Sequence, residues 1–147
     1  MTRIDFHSNV SNQLDYACRL VRKALAAQCK VVVRHEDQDQ LHEFDQMLWS
    51  FSPSDFLPHV DSQIGDQVLL QQTPVLLSLP HGADVPAQAF PHQQILLNLS
   101  TQVPDDFTQF ERLIEIVAQD AATTQAGRTR YRFYQQQGYQ LTHITAK

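Results

Sequence analysis

Residues 30–34 read Lys-Val-Val-Val-Arg, and this run narrows the possible folds furthest. Successive side chains of a strand point to opposite faces, so an unbroken β-branched run needs apolar cover on both. A strand of that kind belongs to a parallel sheet with helices on its faces, which favours an α/β layer over a β-sandwich. The flanking patterns agree. Before the run, Leu14, Ala17, Cys18, Val21 and Leu25 recur at helical spacing, with Asn9 or Ser11 available as N-cap and Arg22 and Lys23 toward the negative end of the helix dipole. A short strand, Arg3 to Phe6, and a polar turn, His7-Ser8-Asn9, precede that helix. After His35-Glu36, Asp37 or Asp39 can cap a second helix whose Leu41, Phe44 and Leu48 mark its buried stripe.

Beyond Leu48 the chain changes character. From Trp49 to His59 aromatics are interleaved with prolines and serines, so neither regular helix nor central strand is expected there. The large apolar side chains of such a loop serve as a tucked lid or as a docking surface. Val68–Leu70, Val75–Leu79 and Ile95–Asn98 are short strand candidates, and 80–92, with its prolines, is a surface loop. Pro104-Asp105-Asp106 opens a helical turn that turns Phe107 and Phe110 inward. Arg112–Val117 is a further strand and Tyr139–His143 the last. The order predicts an α/β fold: a Rossmann-like three-layer sandwich with a largely parallel central sheet and helices on both faces. The length of 147 residues, 42% of them hydrophobic, suits one domain over 1–147.

Charge is divided unevenly along the chain. Residues 1–120 hold seven basic side chains against all 16 acidic ones, a net of −9, whereas Arg128, Arg130, Arg132 and Lys147 face no carboxylate after Asp120. On a helix through this tail, Ala122, Ala126, Thr129 and Phe133 form one side, read here as the core face, with Arg130 and Tyr134 toward its edge. Arg128 and Arg132 are an i, i+4 pair with Tyr131 beside them, directed outward, and Gly138 supplies the left-handed stop. An Arg-rich stripe is most often a solvated face. Here the absence of i, i+4 acidic partners and the adjacent aromatic favour a surface that meets an anion.

Motifs for catalysis are absent. The sequence contains no G-x-G-x-x-G, Walker loop, G-x-S-x-G or H-E-x-x-H. Its four glycines are isolated, so a phosphate cradle is hard to build. The His35-Glu36-Asp37 cluster with His42 lacks metal-ligand spacing and suits a surface or capping role. Asp105-Asp106 suits a helix N-terminus, and Glu111 with Glu115 spans an element junction. Cys18 and Cys29 read as reduced packing residues. Met1–Phe6 is no signal peptide and no apolar run spans a membrane, so a soluble, cytoplasmic chain without cofactor or metal is expected. Net negative charge opposes direct DNA binding.

Six segments in order carry a family resemblance: V-V-V-R-H-E-D; F-D-Q-M-L-W; Phe56-Leu57-Pro58-His59; Ile95-Leu96-Leu97-Asn98-Leu99-Ser100; F-E-R-L-I-E-I-V over 110–117; and Arg128-x-Arg130-Tyr131-Arg132-x-Tyr134 with Gly138-Tyr139. Together they resemble the chi subunit of the bacterial DNA polymerase III holoenzyme. The family differs from this chain at Ser62-Gln63-Ile64-Gly65-Asp66, where a Gly-Glu-Gly turn is usual, and at Thr123-Thr124-Gln125. The resemblance implies a non-catalytic adaptor that pairs with the psi subunit of the clamp loader and holds the acidic C-terminal tail of single-stranded DNA-binding protein. A helicase-like protein is a further candidate partner. By the same resemblance Trp49, Phe56, Leu57 and Pro58 would meet psi, and Arg128, Tyr131, Arg132 and Val117 would meet the tail. A small α/β enzyme or nucleotide binder is the alternative.

Overall fold

The computed structural model describes residues 2–50, 59–61, 72–78, 92–104 and 106–146. Their elements are β1 (Arg3–Val10), α1 (Gln13–Ala26), β2 (Val31–Arg34), α2 (Gln38–Ser50), β3 (His59–Asp61), β4 (Val75–Ser78), β5 (Ile95–Asn98), a 3-10 turn (Phe107–Gln109), β6 (Arg112–Ala118), α3 (Ala121–Gln136) and β7 (Leu141–Thr145). The strands form one sheet in the order β3-β4-β2-β5-β6-β1-β7. Every pairing is parallel. The Val-Val-Val run is β2, near the centre, buried along its whole length. Both faces are covered, as that run requires. Val31, Val33, Leu77, Leu97 and Ile116 pack with α1 and α2, and Val32, Leu76, Leu96, Leu113 and Val117 share the opposite core with Phe107, Phe110 and Tyr134 of α3.

The stripes of α1 and α2 fall where their spacing puts them: Leu14, Ala17, Cys18 and Val21 are buried in one, Leu41, Phe44 and Leu48 in the other. Asp37 caps α2, its Oδ1 accepting from the N–H of Asp39 at 2.9 Å. Burial pushes the Cys18 thiol up to about 12, which suits a packing residue. Among the described residues no helix is long and apolar enough to cross a membrane. The candidate strand 68–70, the stretch 51–58 and nearly all of the loop 80–92 lie outside the described residues.

The register of the second face explains what the periodicity misreads. One row across the sheet is apolar: Leu76, Val32, Leu96, Leu113, Ile4 and Leu141. The next row, toward the carboxyl ends, is Ser78, Arg34, Asn98, Glu115, Phe6 and His143. Arg34, Asn98 and Glu115 are all buried. Glu115 has no exposure at all, and it is met by the Tyr134 hydroxyl at 2.6 Å, the Asn98 amide at 2.9 Å and Arg130 Nε at 3.1 Å. Two of these partners come from α3, so α3 buries Gly127, Arg130 and Tyr134. Phe133 is 39% exposed and Thr129 lies on the surface. The core face read from hydrophobicity is therefore out of phase by about one residue, because a buried carboxylate selects its donors over a phenylalanine.

Four smaller differences have equally local causes. β1 continues through the expected turn to Val10, because His7 and Ser8 pair with β7 while Asn9, at φ 61, takes up a register shift. The N-cap of α1 is consequently Asn12, whose side chain accepts from the Asp15 N–H, rather than Asn9 or Ser11. Asp106 makes no cap bond; its carboxylate takes both Arg34 Nη atoms, at 2.6 and 2.9 Å. Trp49 belongs to the last turn of α2 rather than to a loop.

Burial pushes the Glu115 carboxyl up, and Arg130, Tyr134 and Asn98 oppose that rise. Removing the carboxyl leaves a guanidinium that is 2% exposed without its counter-charge. Glu115→Ala is thus expected to lower the unfolding free energy by about 3–5 kcal/mol in urea denaturation. A loss under about 1 kcal/mol would be that of an ordinary surface ion pair.

Candidate functional site

Asp120 starts α3 by accepting from the N–H and hydroxyl of Thr123 at 2.9 and 2.8 Å, and Gly138, at φ 88, ends it. Between these caps the helix lies unusually close to the sheet. A Cβ on Gly127 would stand 2.8 Å from Val117 Cγ2, closer than side chains approach. An isolated glycine inside a helix pattern signals such an approach.

That close contact forms one end of a cavity of about 440 Å³ between α3 and strands β6, β1 and β7. Its apolar lining comes from Phe6, Val117 and Tyr131, with the Phe6 and Tyr131 rings edge to face at 5.1 Å. Its polar lining is Ser8, Thr124, Arg128 and His143. Ser8 Oγ lies 2.6 Å from His143 Nε2, and the His143 ring stands 6.4 Å from that of Tyr131. Among the described residues no carboxylate lines the cavity, and Arg128, exposed, is its one charged lining residue. It is an apolar slot with a guanidinium at its mouth, a shape that suits an apolar group carrying negative charge.

Arg128, Tyr131 and Val117 therefore come together, although Val117 and Arg128 lie on different elements. Arg132 does not join them; it is exposed, one turn along α3 and outside the cavity lining. The sequence reading missed Phe6, Ser8, Thr124, Gly127 and His143. Gly127 could have been found from its place inside a helix. Phe6 and His143 could not, since only the pairing of β1 with β7 makes them neighbours.

At the other end of the sheet Trp49 is 55% exposed, with its ring 4.6 Å from that of His59, which Asp45 Oδ1 contacts at 3.0 Å. Phe56, Leu57 and Pro58 lie outside the described residues. Beyond the carboxyl ends of β2 and β5, where open α/β sheets hold nucleotides, the chain uses its own polar groups. The Thr101 carbonyl accepts from Arg130 Nη1 at 3.0 Å, and Glu36 Oε1 accepts from the Thr101 N–H and hydroxyl at 3.0 and 2.7 Å. His35 Nδ1 accepts from the Asp37 N–H at 3.0 Å, and burial lowers the pKa of its ring, in keeping with a capping role. Among the described residues no three His, Cys, Asp or Glu side chains are grouped to hold a metal ion.

Residues 1–142 match the family model described as DNA polymerase III chi subunit, HolC. The chain belongs to that family. It is 34% identical over 145 residues to the DNA polymerase III subunit chi of Pseudomonas aeruginosa, an alignment covering 96% of this chain and 94% of the relative. The chi subunits of Haemophilus influenzae and Escherichia coli are 27% and 25% identical, over 87% and 88% of this chain and 83% of each relative. As a chi-family chain it is an accessory subunit of the replicative polymerase.

The glycine against Val117 sets the width of the slot. Gly127→Ala should push α3 off β6 and cost about 1–3 kcal/mol, as overpacking does, read from the urea midpoint. Gly127→Ala combined with Val117→Ala makes room for the new methyl and should recover part of that loss.

Proposed function

We propose that this chain is a non-catalytic, cytoplasmic adaptor of DNA polymerase III, a single domain over 1–147 that bridges psi, and through it the clamp loader, to the acidic C-terminal tail of single-stranded DNA-binding protein. The observation that carries the reading is the cavity lined by Val117, Arg128 and Tyr131, which has a cation at its mouth and, among the described residues, no carboxylate in its lining. A tail that ends in an aromatic residue and a free carboxylate, preceded by acidic residues, matches each part. The ring packs in the slot against Phe6, Val117 and Tyr131, Arg128 takes the terminal carboxylate in a two-point grip, and Arg132, one turn on, meets upstream acids. The binding is partly ionic and exposed, so it weakens as salt shortens the Debye length below about 8 Å.

A fluorescence titration with a labelled tail peptide tests this. Arg128→Ala should weaken binding by about tenfold to a hundredfold, the loss of a charge-assisted pair, and Arg128→Lys should restore only part of it. A peptide lacking its final aromatic should bind poorly to the unaltered protein. Equal binding of both peptides, or full binding by Arg128→Ala, would return these arginines to a solvated helix face.

For psi, the reading rests on Trp49, exposed at the end of α2, with Phe56, Leu57 and Pro58 following it in sequence. Aromatic anchors in such patches contribute on the order of 2 kcal/mol or more. Trp49→Ala should therefore weaken capture of psi by at least about tenfold in a biosensor measurement while tail binding is unchanged. A lower melting temperature with unchanged psi binding would make Trp49 a packing residue for His59 instead.

A further inference from the structure

The cavity opens at the border of the sheet, and its outer wall is part of β7, the last strand in the order. β7 reads Leu-Thr-His-Ile-Thr, with its last four residues exposed. Natural edge strands are blunted by charge, proline or a bulge, and β7 has no Asp, Glu, Lys, Arg or Pro. Ile144, on the face away from the cavity, is 39% exposed.

Backbone parity settles which groups β7 leaves free. The Ala146 N–H donates to the Ser8 carbonyl at 2.9 Å. In a parallel ladder alternate residues turn both N–H and C=O to the same neighbour, so Ile144 and Thr142 also face β1. Leu141, His143 and Thr145 turn theirs outward, away from the sheet. His143 thus has its ring in the cavity and its main-chain N–H and C=O on the open edge.

We infer that an acidic peptide whose terminus occupies the cavity continues as an extended segment paired with β7, adding an eighth strand through the outward groups of His143 and Thr145. This rests on the tail-binding reading above and extends it from the terminal residues to those upstream. Continuity carries the assignment, because a chain leaving the cavity past His143 meets its free backbone directly. Charge is compatible with it: no carboxylate follows Asp120 in sequence, and Asp15, which lines a pocket with Ile144 and Thr145, is paired with Arg19. Main-chain pairing also explains how a run of acidic residues can be held without a cation for each. A proline in the segment is accommodated where its missing N–H would point away from β7.

The test uses the full chain with two peptides, the terminal tripeptide and the same terminus with its upstream acidic residues. Amide exchange is followed by NMR, with the β1-facing Ile144 amide as the internal control. The longer peptide should slow exchange at His143 and Thr145 by about tenfold, the scale of one or two added hydrogen bonds, and the tripeptide should leave Thr145 unchanged. Thr145→Pro removes an outward N–H and no bond to β1. It should weaken the longer peptide by about tenfold and leave tripeptide affinity as it was. Tight binding of the longer peptide with unprotected His143 and Thr145 amides would overturn the added strand while leaving the cavity assignment standing. Failure of both peptides to bind would instead remove the tail-binding reading on which it rests. Protection of both amides by self-association, seen as concentration-dependent dimerisation without peptide, would assign the edge to a second copy of this chain and also overturn the inference.

Discussion

A carboxylate with no exposure in the middle of a parallel sheet fixes more of this molecule than any apolar contact. Taking a charge out of water costs several kcal/mol even after relaxation, so Glu115 is tolerable only with its donors in place. Asn98 of β5 supplies one from the neighbouring strand, and Arg130 and Tyr134 supply two from α3. The helix cannot roll about its axis without breaking both of its contacts. Rotational phase, which an apolar stripe sets only loosely, is thereby specified closely.

The cavity follows from that phase. With Arg130 and Tyr134 turned inward, Gly127 falls against Val117, Tyr131 against Phe6, and Arg128 reaches the rim. The residues that line the cavity and those that hold the helix thus alternate along one element. Arg130 bonds the Thr101 carbonyl as well, and Thr101 is held by Glu36 after β2, so the same cluster ties α3 to loops beyond the carboxyl ends of the sheet. Arg34 and Asp106 form a second buried pair in the same region. Breaking a buried pair of this kind costs about 3–5 kcal/mol, so the two pairs hold this region in one arrangement.

The two proposed contacts use opposite borders of the sheet. β7 and the cavity lie at one end of the strand order, and β3, with Trp49 against His59, lies at the other. In the bridging role proposed above, this separation lets two partners be held without competing for surface. The exposed indole and the exposed guanidinium differ in chemistry as well as in place, so a change at one is expected to leave the other intact.

Much of the architecture was legible in the sequence, because it follows from local periodicity. Val31–Val33 required a strand covered twice, the stripes of α1 and α2 are buried as their spacing dictates, and the order of elements led to the parallel sheet. Arg128 and Tyr131 stood out because charge and aromaticity concentrate there. Tertiary structure alone decided the rest. Hydropathy weighs each side chain by itself, so it placed Phe133 inside and Arg130 near the edge, whereas burial of Arg130 depends on Glu115, fifteen residues away on β6. The outer wall of the slot, from Phe6, Ser8 and His143, exists only because β1 pairs with β7. The sequence determined the elements and the chemistry of the last helix; long-range pairing decided which way that helix faces and what it faces.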